Sequence, residues 1–361
     1  MTLRAGDPCP WFVGRTSSRN DFHFDTVAGR IIVLSFFKSA GSPAARHLLQ
    51  GVNSLLPLFD DVTASFFGVS ADPEDEAQKR VADRVPGVRW FWDPEGAIRL
   101  RCLAHESEQD ITIVLDRSLR VLEIVRHDPP DLHTARLRRL LESLAPTDGR
   151  RPAPRHAPVI LVERLFEPEL CKELIRRYEQ GGGFESGFMR QRGGRTVAIH
   201  DFSHKRRKDH VIEDPRLRAL LVERIRSRLL PEIQKAYQYR ATRIERYIVA
   251  CYEAESSGHF RAHRDNTTSG TAHRRFAVSV NLNADFEGGE LRFPEYSDLL
   301  YKPPPGAAVV FSCSLLHEAS PVTAGKRYVF LPFLYDDDAA KIRIQNASLI
   351  DSPPPPAANA E

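Results

Sequence analysis

Gly258-His259-Phe260-Arg261-Ala262-His263-Arg264-Asp265 is the stretch on which the reading of this chain turns. His263 and Asp265 are two residues apart, and on extended chain that spacing sends both side chains to the same side. A neighbouring imidazole and carboxylate are metal-ligand chemistry. A second imidazole from a distant strand completes a set of three that leaves the remaining positions of a metal open. His317, in Leu315-Leu316-His317-Glu318, is placed to supply it. Another such triplet, His23-Phe24-Asp25, precedes the first strand pattern without partner residues and reads as local turn chemistry.

Working outward, the residues after Ile244 fall into short apolar runs at 246–252, 276–282, 290–293, 307–312 and 327–334, punctuated by Gly and Pro. Helices are expected ahead of them. One starts at Glu167-Pro168, carries Leu170, Leu174, Ile175 and Tyr178 on one face, and stops at Gly181-Gly182-Gly183. Another opens at Asp214-Pro215, and Pro231 kinks or ends it. Two helices before many short strands suggest a β-sandwich or jelly roll buttressed by helices.

The first part of the chain alternates strand and helix patterns. Ile31 to Phe37 is a continuous apolar run, as a strand buried on both faces requires. Leu48, Leu49, Val52, Leu55, Leu56 and Phe59 recur at helical spacing, and Ser65 to Ser70 reads as a second buried strand. Ile111–Leu115 and Val121–Val125 flank Asp116-Arg117-Ser118 as a hairpin, and Leu137, Leu140, Leu141 and Leu144 mark a closing helix. The organisation expected is an α/β domain over 1–145, a Pro-rich linker over 146–158, a second domain over 159–345 and a disordered Pro- and Ala-rich tail over 346–361.

Composition limits the partners. Among 361 residues, 51 Lys and Arg stand against 48 Asp and Glu, so no global charge draws the chain to nucleic acid or a membrane surface. No stretch approaches the ~20 apolar residues of a membrane span, and the start leads into no signal-peptide core. Five scattered cysteines, Cys9, Cys102, Cys171, Cys251 and Cys313, form no C-x-x-C pair, which argues against a disulfide framework or a zinc cluster. Cys251 and Cys313 read as buried packing residues. A reducing, cytoplasmic setting is expected. Arg190, Arg192 and Arg195, followed by His204-Lys205-Arg206-Arg207-Lys208, form a basic segment that reads either as a solvated loop or as a substrate-facing lid attracting an acidic or phosphorylated partner.

Residues from about 160 to 340 resemble the prolyl 4-hydroxylase-like branch of the 2-oxoglutarate/Fe(II) oxygenases. The resemblance rests on Tyr252-Glu253-Ala254, Gly258 to Asp265, Val280-Asn281-Leu282-Asn283, Phe286-Glu287-Gly288-Gly289-Glu290-Leu291, Pro305 to Phe311, Leu316-His317-Glu318 and Pro321 to Tyr328. It implies a double-stranded β-helix (jelly roll) with flanking helices and a metal triad of His263, Asp265 and His317. It also implies that Arg327 grips the distal carboxylate of 2-oxoglutarate, with Tyr252 hydrogen-bonded to the same group and Tyr247 as competitor. Fe(II), 2-oxoglutarate, O2 and, as reductant, L-ascorbate (vitamin C) follow from the family. The Gly288-Gly289 bend reads as architectural. The retained carboxylate, Asp265, favours hydroxylation over halogenation. The substrate is expected to be a prolyl or other side chain in a peptide, or a small amino-acid-derived molecule.

Residues 1–145 resemble the peroxiredoxin (thiol-specific antioxidant) family, with a thioredoxin-like fold. Gly6-Asp7-Pro8-Cys9-Pro10-Trp11-Phe12, Ala28 to Phe37, Gly68-Val69-Ser70-Ala71-Asp72 and Trp92-Asp93-Pro94-Glu95-Gly96 carry the resemblance. The active-site positions depart from it. Lys38, Ser42 and Ala45 stand where the family has Pro, Thr or Ser, and the peroxidatic Cys. Without a thiolate nucleophile the domain is not expected to reduce peroxide; it reads as a scaffold for docking or homodimerisation. Two readings of the whole remain at this point: a two-domain hydroxylase, or a non-enzymatic redox- or iron-sensing adaptor.

Overall fold

The computed structural model describes residues 3–103, 110–144 and 155–351. It divides into two compact units, Met1–Arg151 and Pro152–Glu361.

In the first unit a seven-stranded sheet runs in the order Phe22–His23, Val13–Thr16, Val88–Trp92, Ala64–Ser70, Ile31–Phe37, Ile111–Leu115, Val121–Arg126. Ile31–Phe37 pairs parallel with Ala64–Ser70 and antiparallel with Ile111–Leu115. Its side chains alternate between two cores. Ile31, Val33 and Phe37 join Leu48 and Val52 of helix Pro43–Asn53 and Leu137 and Leu141 of helix Pro130–Ser143. Ile32, Leu34 and Phe36 join Phe67, Phe91, Ile98 and Cys102 on the other face. Both faces are covered, so the strand is apolar throughout. This is the thioredoxin-like layering expected for this unit.

The second unit holds a five-stranded sheet, Lys205–Arg206, His259–His263, His317–Ala319, Leu291–Arg292, Leu300–Tyr301. A larger sheet is built around Phe276–Asn281, Val322–Phe330 and Ile248–Glu253. Shared cores show that the two sheets face each other: Tyr252 and Val329 of the larger pack with Phe260 and Ala319 of the smaller. The alternate residues Val249, Cys251, Val278, Val280 and Phe330 point outward, against Leu170, Leu174, Leu217, Leu221 and Ile233 of the helices. Period-two alternation thus divides each central strand between the jelly-roll interior and the helical layer.

Several expectations need correction. The tail over 346–361 is not free from its start. Ala347–Leu349 form a 3₁₀ turn, and Ile350 and Asp351 pair parallel with Thr196 and Val197; residues 352–361 lie outside the described residues. Asn346 Nδ2 also donates to the Ser269 carbonyl at 2.8 Å. These contacts satisfy backbone groups that a disordered tail would leave to water. Residues 155–158 of the supposed linker also belong to the second unit. Ala157 is buried there and its N–H donates to the Tyr301 hydroxyl at 3.1 Å, while Tyr237 Oη donates to the Pro158 carbonyl at 2.8 Å. Pro231 does not end its helix. Pro215–Arg224 passes through a π-helical turn, Ile225–Leu229, into Leu230–Tyr237. The wider turn admits a residue without an N–H.

The basic segment is not a solvated loop. Phe188–Arg192 and Arg195–Ile199 form a hairpin, and Lys205–Arg206 and Lys208–Val211 are strands. Extended chain sends alternate residues to opposite sides, so Lys205, Arg207 and Asp209 are buried while Arg206 is exposed.

Candidate active site

His263 closes strand His259–His263 and is register-paired with His317, the first residue of strand His317–Ala319. Asp265 follows just past the strand, where its N–H donates to the Cys313 carbonyl at 3.0 Å. Ligand atoms of the three side chains lie within 4.8 Å of one another, and among the described residues they form the only such group of three. The other triplet has only its own pair, His23 Nδ1 to Asp25 Oδ1 at 3.9 Å, on exposed side chains.

The hydrogen bonds around the imidazoles decide what this group can hold. His263 Nδ1 lies 2.8 Å from the Arg261 carbonyl, and His317 Nδ1 lies 3.0 Å from the Leu315 carbonyl. A carbonyl only accepts, so each Nδ1 carries the proton and each Nε2 presents a lone pair. Those lone pairs face the carboxylate oxygens, His263 Nε2 at 3.6 Å from Asp265 Oδ1 and His317 Nε2 at 3.4 Å from Oδ2. Acceptors turned toward acceptors fit a cation among them, and the backbone carbonyls provide the outer support that metal-bound imidazoles need. Burial, followed by the neighbouring His263, pushes the His317 imidazole down to about 4, so it is neutral at physiological pH. Burial alone would raise the Asp265 carboxyl; nearby positive charge, Arg274 included, outweighs this and holds it below the usual carboxylate range. Two imidazoles and one carboxylate match a non-haem iron site with open positions. Phe260 stacks on His263 with ring centroids 3.5 Å apart, and Phe311 lies 4.6 Å from His317, which fixes both rings.

These residues line a cavity of about 540 Å³ that also contains Arg327 and Tyr252. Arg327, on strand Val322–Phe330, is 2% exposed, and only neutral partners hold it. Nε and Nη2 donate to Asn281 Oδ1 at 3.1 and 3.0 Å, and Nη2 donates to Ser279 Oγ at 3.1 Å. Burial lowers the pKa of this guanidinium. A buried cation without a carboxylate is costly, and an incoming carboxylate would supply the missing charge. Tyr252, cross-strand neighbour of Arg327, places its ring 5.6 Å from that guanidinium. Tyr247 does not line the cavity. It packs with the helical layer, and Arg218 stacks on its ring.

The Gly288-Gly289 bend has a reason in this geometry. Both residues have positive φ, +72° and +69°, and a Cβ on Gly289 would lie 2.8 Å from Val322 Cγ2 and 3.1 Å from Arg327 Cδ. The bend lets backbone approach the anchoring arginine.

Of the cavity-lining residues, Lys205 and Arg207 stood in the sequence reading only within a basic segment taken as a solvated loop or a lid, and Arg246, Arg274 and Ser279 were missed. Period-two alternation over 205–209 was the available signal for the first two; nothing local marks Arg246 or Arg274.

In the first unit the corresponding place carries no thiol. Ala45 sits in the first turn of helix Pro43–Asn53, its N–H donating to the Ser42 Oγ cap at 3.1 Å. Cys9 and Cys102 lie in the core on the other face of the sheet. A hydrogen bond with Cys102 and burial push the Cys9 thiol up, away from the reactive thiolate.

Comparison with known proteins matches a different family in each unit. Residues 247–335 match the model of the 2OG-Fe(II) oxygenase superfamily, and residues 5–117 match that of the AhpC/TSA family. A PKHD-type hydroxylase from Synechococcus sp. (strain JA-2-3B'a(2-13)) is 32% identical over 92 residues, 24% of this chain and 40% of that protein. A multifunctional procollagen lysine hydroxylase and glycosyltransferase from Homo sapiens is 29% identical over 184 residues, 47% of this chain and 22% of that protein. The chain thus spans less than half the length of these curated relatives. Among solved structures, a prolyl hydroxylase from Trichoplax adhaerens, in complex with a peptide fragment, aligns over 52% of this chain and 86% of its own. Its identity is 19% and its TM-score 0.39. The Xanthomonas campestris bacterioferritin comigratory protein covers 40% of this chain and 98% of its own at 19% identity, TM-score 0.33. The family matches thus divide as the structure does, the 2OG-Fe(II) oxygenase superfamily matching residues of the second unit and the AhpC/TSA family residues of the first.

Proposed function

We propose that this chain is a 2-oxoglutarate- and Fe(II)-dependent hydroxylase whose site is the cavity of the second unit. The observation that carries the reading is one cavity holding three mutually facing ligand side chains and a buried arginine with no carboxylate partner. His263, Asp265 and His317 would hold the metal. Arg327 would bind the distal carboxylate of 2-oxoglutarate through its planar fork, with Ser279 and Asn281 orienting that fork and Tyr252 beside it. Bound iron with its cosubstrate supplies O2 activation, coupling decarboxylation of 2-oxoglutarate to succinate and CO2 to insertion of one oxygen atom into a C–H bond. The protein's own work is to fix the imidazole rings, keep His317 neutral, anchor the cosubstrate and exclude water through Phe260, Phe293 and Phe311.

The substrate class is an amino-acid side chain in a peptide or an amino-acid-derived small molecule. L-ascorbate would keep the metal ferrous. A reducing, cytoplasmic setting suits both that metal and five free, buried cysteines. No helix among the described residues is long and apolar enough to cross a membrane. An adaptor that only binds would have no use for a triad and a separate carboxylate anchor in one cavity. Succinate release from 2-oxoglutarate by Fe(II)-loaded protein, abolished in Asp265→Ala, is the result expected; a loaded protein that neither binds 2-oxoglutarate nor forms succinate with any peptide or amino-acid substrate would end this reading.

A further inference from the structure

The cavity holds more positive charge than its iron site and cosubstrate use. Seven Lys and Arg side chains line it; Arg190 is exposed and Arg264 is paired with Glu295, and the other five are Lys205, Arg207, Arg246, Arg274 and Arg327. Three carboxylates stand among them. Asp209 binds Arg207 through both oxygens at 2.7 Å. Glu245 binds Arg274 at 2.6 and 3.1 Å and His273 at 2.7 Å. Asp265 belongs to the metal group. An iron(II) ion and a 2-oxoglutarate dianion bring equal and opposite charge, so together they leave the surplus where it was.

Two of the cations face the cavity without a carboxylate partner besides Arg327. Arg246 lies between strands Arg243–Glu245 and Ile248–Glu253 with left-handed backbone, φ +67°, a conformation that disfavours a long side chain. Its guanidinium rests on the Phe333 ring at 4.1 Å, the ring on which Arg274 also stacks at 4.1 Å. Its one hydrogen bond is a long one, Nη2 to the Leu331 carbonyl at 3.4 Å, and its Nε is sheltered from solvent without a partner. Glu245, the adjacent carboxylate, is taken up by Arg274 and His273. Lys205 is 5% exposed, with Nζ donating to Ser186 Oγ at 2.7 Å and the Gly187 carbonyl at 2.6 Å. It sits 4.9 Å from the Phe260 ring that stacks on His263. Burial lowers its pKa, and the charges of Arg207 and Arg246 add to that; an anion beside it would act in the opposite direction.

Resting on the hydroxylase reading of the cavity, we infer that the substrate carries an oxyanion group, a carboxylate or a phosphate, bound between Arg246 and Lys205. Arg246 and Lys205 are then specificity residues, distinct in task from Arg327. A neutral side chain in an uncharged peptide would leave the cationic wall uncompensated; an acidic amino acid, a free carboxylate terminus or a phosphorylated metabolite would complete it.

The test uses the full chain loaded with Ni(II), which does not turn over, and saturated with 2-oxoglutarate. Inorganic phosphate and acetate are titrated separately by calorimetry. Arg246→Gly is the first variant, because glycine favours the left-handed backbone at this position and its thermal midpoint should not fall; Lys205→Met is the second. Wild type is expected to bind at least one probe, and each variant to bind it at least tenfold more weakly while binding 2-oxoglutarate as wild type does. Tighter binding of phosphate than of acetate would assign a phosphorylated substrate, and the reverse a carboxylate. If neither probe binds wild type, or both variants bind as wild type does, the inference is wrong and the hydroxylase reading is untouched. If Arg246→Gly loses 2-oxoglutarate while Arg327→Ala keeps it, the two arginines have been given each other's roles and both assignments fall. If wild type binds no 2-oxoglutarate, the hydroxylase reading fails and takes this inference with it.

Discussion

The two units meet the same structural problem, polar groups held near the end of a sheet, and answer it in opposite ways. In the first unit the groups largely satisfy one another, His133 Nδ1 being the one atom of these networks buried without a partner. Asp75, wholly buried, accepts from the Ala40 N–H and the Ser70 hydroxyl at 2.6 Å each and from Arg80 Nη1 at 3.0 Å. Ser35, Thr112, His127 and His133 close a second network of hydroxyls and imidazoles between 2.7 and 3.1 Å. In the second unit the lone pairs of two imidazoles face a carboxylate, and three cations, Lys205, Arg246 and Arg327, have neutral hydrogen-bond partners only. A polar network that is internally complete adds rigidity and asks for no ligand. One that is complete only with an added cation and added anions is a binding site. The same chain therefore carries one family scaffold without its reactive thiol and another with its ligand set in place.

The largest expected effect that could break this comparison is at the metal. Asp265→Ala removes the sole anionic ligand, and iron binding and succinate formation should both collapse. His23→Ala, in the exposed triplet, should change neither; loss of metal in the second variant would mean that the wrong triplet has been chosen.

Arg327→Ala comes next. Metal should stay bound, while 2-oxoglutarate affinity falls by the ~2–5 kcal/mol typical of a truncated buried charge pair, roughly thirtyfold to several thousandfold. Arg327→Lys should recover part of it, since the charge remains and the fork is lost. Unchanged titration curves for Arg327→Ala would remove the contrast between satisfied and unsatisfied cations on which the comparison rests.

The buried histidines of the first unit predict a pH response. Burial pushes His127 down to about 3, with His133 and Arg99 adding to it, and pushes His133 down to about 4. Both are neutral when folded, whereas the unfolded chain takes up protons below the ordinary histidine value of ~6.5. Their contribution is therefore fully present above pH ~6.5 and is lost as pH falls toward 4, by a few kcal/mol in total. Thermal melts of the full chain between pH 7 and 4 should show the first transition falling, and His133→Phe should flatten that slope. A first transition independent of pH over this range would show that the network is not sealed as described.

A smaller effect is expected at Gly289. Its φ of +69° and the 3.1 Å approach of an added Cβ to Arg327 Cδ should make Gly289→Ala cost about 1–2 kcal/mol of stability and weaken 2-oxoglutarate, with metal affinity kept. The smallest effect is none at all: thiol-dependent peroxide turnover should be absent in wild type and remain absent in Cys9→Ser and Cys102→Ser. Turnover lost on either substitution would return the first unit to the class of working thiol sites.

How much of this was legible in the sequence follows from range. The continuous apolar run Ile31–Phe37 marked a strand covered on both faces, and His263-Arg264-Asp265 marked a ligand pair, because both patterns are local and periodic. The 3₁₀ turn and strand at 347–351 were hidden by a tail rich in Pro and Ala. The strands at 205–211 were hidden by their charges, since period-two alternation written in Lys, Arg and Asp does not look like a strand until a core exists to receive one side of it.

By itself, then, the sequence pointed to the two scaffolds and to a candidate triad with its arginine, and it carries Ala in place of a thiol at position 45. These depend on residue type at short or family-defined spacing. Only the tertiary structure decided which charges are compensated. That Glu245 goes to Arg274 and His273, that Asp209 goes to Arg207, and that Arg246 and Lys205 are left facing the cavity all follow from distances between strands far apart in the chain. An ion pair is a property of two positions in space, and the count of charges along a chain that is nearly neutral overall carries no trace of a cavity that is not.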